Sequence, residues 1–368
     1  MNLLRRILNA VGAVPDADGA PRSRRRPGRV FLGLGVQSFM RFNDGDPERV
    51  AGLGLPPLSN VTDVAELLGI SERRLVWLCY PQHGRTRKQD HYIHFAVAKR
   101  SGGTRTISAP KTDMRTVQRA ILRSILMKIP IHPAATAFYT GASVVDHAML
   151  HTNCAVVVKL DLTDFFPTIG WRRVRGMFAS LGYSTGISTM LALLTTTAPR
   201  SRDALQYACL PQGAPTSPAI SNIISRRLDA RLSGLAAKHG FVYSRYADDM
   251  TFSHASGDAD IGRLVSSVQV IVREEGFVLN DGKTRVMRAH HRQIVTGLVV
   301  NDGVRIPREN LRRFRAILHN TERDGFDSAS RDLGQDVREY ARGYLAFIRS
   351  VEPDKAAKLV ERHPWLVP

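Results

Sequence analysis

The chain has 368 residues, 43% hydrophobic and 23% charged, enough apolar content to bury a core and too little bias for a disordered or fibrous protein. Lys and Arg number 52 against 33 Asp and Glu, a formal charge of +19 that suits a polyanionic partner and puts nucleic acid first. Its three cysteines, Cys79, Cys154 and Cys209, lie far apart with no C-x-x-C pair, which excludes a disulfide framework or cysteine zinc finger and points to the cytoplasm.

Residues 1–30 hold seven arginines and two aspartates, and Pro15, Pro21 and Pro27 break any element after a short helix expected over Leu3–Val11. Residues 1–60 are therefore expected to form a basic N-terminal extension, partly flexible. Arg5 and Arg6 ahead of apolar Ile7–Val14 imitate a signal peptide only faintly, since Asn9 interrupts and Arg24–Arg26 follow. From Val61, V-T-D-V-A-E-L-L-G-I-S-E-R-R-L-V-W-L predicts two short helices split by Gly69, the second capped by Ser71. A DNA-binding helix-turn-helix and a small helical domain both fit this pattern, and the second is the commoner outcome.

Strands Ile93–Ala98 and Thr104–Ser108 predict a hairpin with Lys99, Arg100 and Arg105 around its turn. Val117, Ile121, Leu122, Ile125, Leu126 and Ile129 then recur at helical spacing until Pro130. Gly176–Pro199 is long enough to span a bilayer, but eight Ser or Thr with Gly182 and Gly186 mark it as buried protein and no membrane partner is expected. Ser217-Pro218 opens a helix expected to run to Gly240, and Ile261, Leu264, Val265, Val268 and Ile271 form another that stops at Gly276. Strands fall at Ala155–Leu162, Phe241–Ala247 and Met250–Ser253, with a closing hairpin Leu298–Ile306 around Asn301-Asp302-Gly303. Helices packed on an antiparallel sheet make an α+β core.

The chemistry is expected where acidic residues stand in this basic chain. Val156, Val157, Val158 and Leu160 form a strand too apolar for the surface, and it ends in Asp161. Asp248 and Asp249 sit at a hairpin tip where Asn or Gly would be the neutral choice. Adjacent like charges repel unless cations bridge them, and Mg²⁺ prefers carboxylate oxygens together with substrate phosphates. If the two strands pair, Asp161, Asp248 and Asp249 converge, and two ions about 3.5–4 Å apart could clamp a phosphoryl displacement.

Taken in order, L-D-L-T-D-F-F-P (160–167), L-P-Q-G-A-P-T-S-P (210–218), Y-A-D-D (246–249) and G-F-V-L-N-D-G-K-T (276–284) resemble the reverse transcriptases. That resemblance implies a right-hand polymerase, with fingers and palm over 61–289 and a thumb, the RNA-binding region, over 290–368. It implies that Asp161 and Asp248, assisted by Asp249 and the Leu162 carbonyl, hold two Mg²⁺ ions, with Mn²⁺ able to substitute. Lys283 would face the departing phosphates, while Arg105, Asp164, Phe166 and Gln212 would serve the incoming nucleotide, with Phe166 excluding a ribose 2′-hydroxyl.

Within the superfamily, A-E-L-L-G-I-S, S-G-G-T-R-T-I-S-A-P-K, A-F-Y-T-G-A-S-V-V-D-H-A-M-L-H and V-T-G at Val295–Gly297 are similar to bacterial retron reverse transcriptases. These enzymes copy part of their own structured non-coding RNA, which serves as template and primer, into DNA. The resemblance implies dNTP substrates, a role in anti-phage defence and a separately encoded effector protein. It also implies an RNA contact at His151. Val295, Thr296 and Gly297 are expected to meet RNA at a strand end where the Thr296 hydroxyl is exposed, and a helix after Pro307 is expected to put Leu311, Phe314 and Leu318 inward and to turn Arg308, Arg312 and Arg315 elsewhere, towards RNA. Where the family reads N-A-x-x-H this chain has His147, and His147 with His151 at i and i+4 also admits a zinc pair, though without the Glu of H-E-x-x-H. From Lys283 to Arg315 nine Lys or Arg face two acidic residues, as a surface on a duplex backbone requires. An orphan or group II intron-type enzyme and a relic RNA-binding scaffold are the alternatives.

Overall fold

The computed structural model describes residues 29–31, 37–79, 90–98, 102–197 and 208–367. The expected N-terminal helix, most of the basic arm, and Lys99 and Arg100 lie outside them. The elements in chain order are β1 Arg29–Phe31, β2 Gln37–Phe39, α1 Pro47–Gly52, α2 Val61–Leu67, α3 Glu72–Cys79, β3 Tyr92–Ala98, β4 Thr104–Pro110, α4 Thr112–Ser124, α5 Val144–Met149 and β5 Val156–Asp161. They continue with α6 Phe165–Thr168, α7 Trp171–Ser180, α8 Thr185–Thr195, α9 Ser217–Ile224, α10 Arg226–Lys238, β6 Val242–Tyr246, β7 Asp249–His254, α11 Ile261–Glu274 and β8 Arg285–Arg288. The last are β9 Ile294–Val295, β10 Leu298–Val299, α12 Arg308–Asp324, α13 Phe326–Leu333, α14 Val337–Val351 and α15 Pro353–Arg362. They fall into two compact units, one of Met1–His132, Thr163–Leu228 and Glu275–Phe277, the other of Pro133–Leu162, Asp229–Glu274 and Val278–Pro368.

In the first unit, Asn60 and Asp63 cap α2 reciprocally, each side chain accepting from the other's backbone N–H, and Ser71 accepts from Arg74 N–H at the start of α3. Both helices turn Val64, Leu75 and Leu78 into the core. β3 and β4 pair antiparallel from Tyr92↔Pro110 to Ala98↔Thr104. The helix expected through Ile129 is shorter, because Ile125 leaves helical dihedrals (φ −123°, ψ −63°) and a 3₁₀ turn, Leu126–Lys128, follows α4. Gly186 to Thr195 of α8 are all buried, which makes the Ser/Thr-rich apolar segment a core helix. Among the described residues no helix is long and apolar enough to cross a membrane. The helix expected from Ser217 to Gly240 is two, since Ser225 (ψ 0°) ends α9 with its N–H turned back to the Ile223 and Ser221 carbonyls.

The second unit is built on a four-stranded antiparallel sheet in the order β6-β7-β5-β8. The central β5 buries Val156, Val157, Val158 and Leu160, the unbroken apolar run of a strand covered on both faces. A hydrophobic core joins Val157, Val295 and Leu298 to Leu311, Phe314 and Leu318 of α12 and Ala341, Leu345 and Ile348 of α14. The closing hairpin differs from expectation. The paired strands are β9 and β10, turning at Thr296-Gly297, while Asn301 folds its side chain back to the Gln293 N–H and the Ala289 and His291 carbonyls. Bridges Val299↔Arg305 and Asn301↔Gly303 are what remain of the expected turn.

Because Leu160 is fully buried one residue before the end of β5, Leu160→Ala is expected to lower unfolding free energy by about 2–5 kcal/mol in chemical denaturation.

Candidate active site

Asp161 ends β5 because the strand's apolar run stops there, and two backbone bonds fix that end. Leu162 N–H donates to the Asp248 carbonyl (3.0 Å), and Asn280 N–H donates to the Asp161 carbonyl (2.8 Å). β6 and β7 form a hairpin whose loop is Ala247-Asp248, closed by the pair Tyr246↔Asp249. Ala247 has φ +58°, a region that L-residues disfavour. Register then places Asp161 directly across from Asp249, with Asp248 beside them in the turn. The pairing of β5 with β7 thus brings the expected carboxylates to one end of one sheet.

Like charges opposite one another in a sheet are destabilising, and two lysines offset this. Lys159 Nζ lies 2.6 Å from Asp249 Oδ2, and Lys283 Nζ lies 2.9 Å from Asp161 Oδ2. The Asp249 carboxyl is still pushed above the ordinary carboxylate range, by burial first, with Lys159 opposing and the charges of Asp248 and Asp161 adding to the rise. With Asp161 and Asp249 drawn to ammonium groups, no three His, Cys, Asp or Glu side chains among the described residues form a metal cage. The donor set nevertheless fits Mg²⁺, a hard cation that takes one or two carboxylates and completes its shell with water and substrate phosphates.

The expected nucleotide-binding residues belong to the first unit. Arg105 is exposed on β4, opposite Val97. Two residues past Thr106, the Ser108 N–H donates to the Gln212 carbonyl at 2.8 Å, tying β4 to the Leu210–Pro218 segment. Gly213 beside it has φ +117°, and a Cβ there would come within 3.1 Å of Ile107 and 3.4 Å of the Ser108 carbonyl, so glycine permits both the turn and the contact. Asp164 is exposed in the left-handed region (φ 45°, ψ 48°) at the start of α6, and Phe166 stands half-buried against Phe165, ring centroids 5.5 Å apart.

The expected RNA-contact set divides. Arg308, Arg312 and Arg315 are exposed on α12, while Leu311, Phe314 and Leu318 point inward. His151 and Val295 are fully buried, which corrects the expectation that their side chains meet RNA. His151 is held between the hydroxyls of Ser253 (2.8 Å) and Ser244 (2.6 Å), so both ring nitrogens are engaged and the zinc-pair reading fails. His147, also fully buried, stacks on Tyr246 (5.6 Å, 26°) and meets His151 edge-on. Thr296 was expected as an exposed hydroxyl. It is half-buried and donates to the Val144 carbonyl at 3.2 Å, leaving Gly297 as the exposed member of the turn.

Residues 97–312 match the family model described as reverse transcriptase (RNA-dependent DNA polymerase). The chain is 39% identical to the retron Mx162 reverse transcriptase of Myxococcus xanthus over 84% of its own length and 67% of that protein. It is 32% identical to the retron Ec86 reverse transcriptase of Escherichia coli over 85% of its length and 91% of that protein. The chain belongs to the retron-type reverse transcriptases. Retron-type reverse transcriptases are RNA-directed DNA polymerases of the right-hand fold and work with divalent metal ions, and the α+β fold of this chain agrees with that class. Among solved structures it is similar to telomerase from Candida tropicalis with an RNA fragment, at 11% identity and a TM-score of 0.42, over 74% of this chain and 55% of that one.

Two features of this reverse transcriptase escaped the sequence. Lys159, two residues before Asp161 and so on the same face of β5, carried a signal in its period-2 spacing. The ion pair of Arg245 with Asp229 did not, because a lone Arg in a strand and a lone Asp in a helix each look solvated.

Burial holds the His147 imidazole down to about 4, with the Lys159 charge adding to the fall, and burial then the neighbouring His147 hold His151 down to about 3. Both pKa values lie below the ordinary 6.5, so the unfolded chain takes up protons that the folded one refuses. This stability is whole above pH 6.5 and is lost as pH falls towards the folded values, by about 2 kcal/mol per histidine at pH 5. Replacing His147→Asn is expected to remove roughly half of that acid loss, measured as the difference in unfolding free energy between pH 7 and pH 5.

Proposed function

We propose that this enzyme copies part of a cognate structured non-coding RNA into single-stranded DNA of the msDNA type, in the cytoplasm, as part of an anti-phage defence that includes a separately encoded effector. The observation that carries its catalytic core is the register Asp161↔Asp249 with Asp248 in the adjoining turn. The retron relatives support the RNA-copying role, and the exposed arginines of α12 support a surface on RNA phosphates.

In this reading Asp161 and Asp248, with Asp249 and the Leu162 carbonyl assisting, would hold two Mg²⁺ ions. Bound there, these ions would lower the pKa of the priming hydroxyl and neutralise charge on the nucleotide phosphates. Lys283 would exchange its bond to Asp161 for the departing phosphates once the carboxylate is otherwise engaged. Lys159 would remain on Asp249 and oppose the rise that burial gives its pKa. Arg105 would grip the triphosphate as a guanidinium fork, Gln212 would lie against nucleotide and template, and Phe166 would fill the space of a 2′-hydroxyl. Asp164 would stand beside the same nucleotide.

Asp248→Ala is expected to lower Mg²⁺-dependent dNTP incorporation on an RNA template by on the order of 10²-fold or more while RNA affinity survives. Undiminished synthesis would remove the assignment. Phe166→Ala is expected to raise the ribonucleotide to deoxynucleotide ratio of kcat/KM by roughly tenfold or more, since discrimination by volume fails when the volume is removed. An unchanged ratio would leave Phe166 a packing residue only.

A further inference from the structure

One charged pair of the second unit has no part in the chemistry just described. Arg245 on β6 and Asp229 on α10 are both 0% exposed. Arg245 Nε donates to Asp229 Oδ1 (2.8 Å) and Nη2 to Oδ2 (2.6 Å), and the Tyr243 hydroxyl donates to the same carboxylate at 2.9 Å. The Arg245 backbone is held as well, its N–H by the Ala134 carbonyl and its carbonyl by the Thr136 N–H. Stability alone does not explain such a pair, since burying two charges costs about as much as their attraction returns and an apolar replacement is often neutral or stabilising.

What an apolar pair could not do is donate a third bond. Arg245 Nη1, the nitrogen not engaged by Asp229, donates to the Ala247 carbonyl at 2.9 Å. Ala247 is the residue at φ +58°, and Asp248 follows it. A turn in a disfavoured conformation stays in place only when its surroundings over-determine it. Here the carbonyl before Asp248 is pinned by a guanidinium that is itself fixed bidentately to a helix.

We propose that Arg245 is a positioning residue of the polymerase site, anchored by Asp229 and setting the place of Asp248 through the Ala247 carbonyl. The proposal rests on the reading of Asp248 as a metal-holding carboxylate, so its test must separate the two. Replacing the whole network with apolar groups, in Arg245→Met, Asp229→Leu and Tyr243→Phe together, leaves no buried charge unpaired and keeps the packing volume. In the full-length protein with RNA template, primer and dNTPs, this variant is expected to keep its unfolding midpoint and RNA affinity. Its kcat is expected to fall by about tenfold to a hundredfold, the loss that a misplaced carboxylate brings, with dNTP KM within about twofold. The Mg²⁺ concentration for half-maximal rate should rise, and Mn²⁺ binding by the protein, read from loss of the free-ion signal, should weaken in parallel.

Arg245→Lys is the second variant. It keeps a charge for Asp229, but one ammonium cannot serve both carboxylate oxygens and the Ala247 carbonyl, so kcat should fall in the same direction with the fold retained. Wild-type kcat and metal dependence in either folded variant would overturn the proposal, since a merely structural pair would move neither. Asp248→Ala run beside them separates the readings. Abolished synthesis there with normal triple and Arg245→Lys variants removes only the role of Arg245, whereas surviving synthesis removes the metal-holding reading of Asp248 and the proposal with it.

Discussion

Everything in the second unit answers to one constraint, which is that Asp161 and Asp249 stand opposite each other at the end of a sheet. Two carboxylates in register repel, so their strands need a stronger reason to pair there. The buried run Val156 to Leu160 supplies it, because a slip of one residue would reverse the face of every side chain and carry charge into the core. Register at this site is thus set by apolar packing several residues away, and the charges are accommodated locally. Lys159 and Lys283 do so from different places, one on the same strand as Asp161 and one at the end of the 3₁₀ turn Asp281–Lys283 before β8.

The two lysines differ in exposure, and this matters for their chemistry. Lys159 is largely covered, and so is its partner Asp249, so that pair is screened less by solvent ions. Lys283 is half exposed on a flexible four-carbon stem, where screening weakens the pair. The same sheet end therefore holds one covered counter-charge and one open to solvent. In a chain of net charge +19, whose field suits a polyanion, this cluster of carboxylates is a local exception.

How much of this was legible in the sequence depended on how local the deciding contacts are. The β5 run, a hairpin turning at Asp248 and the inward face of α12 follow from periodicity and turn chemistry, which neighbours in sequence decide, although the turn is Ala247-Asp248 and Asp249, read as part of the tip, opens β7. The break at Ser225 was not legible, because Ile220 to Leu232 keep one apolar face across it. His147 and His151 misled for the opposite reason. Their i, i+4 spacing is local and suggests a ligand pair, but Ser244 and Ser253 arrive from β6 and β7 and satisfy His151 completely. Thr296 looked like an accessible hydroxyl until the fold brought the Val144 carbonyl beneath it.

Backbone strain marks the motifs more sharply than side-chain type does. Among the described residues five other than glycine have positive φ, and Asp164, Ala247 and Thr296 are three of them. Each lies within a motif quoted for the family resemblance, and each has a bond that answers the strain. Asp164 accepts from both the Thr168 N–H and its hydroxyl, Thr296 donates to Val144, and Ala247 accepts from Arg245. A strained residue held by one specific hydrogen bond is more easily displaced than one held by packing, since a single lost donor frees it. Of the three, Ala247 has the costliest support, a buried guanidinium that itself needs a buried carboxylate. Ala also lacks the side-chain hydrogen bonding with which Asp settles in the left-handed region. Where the residue is least able to hold the conformation itself, the surrounding fold is most committed to holding it.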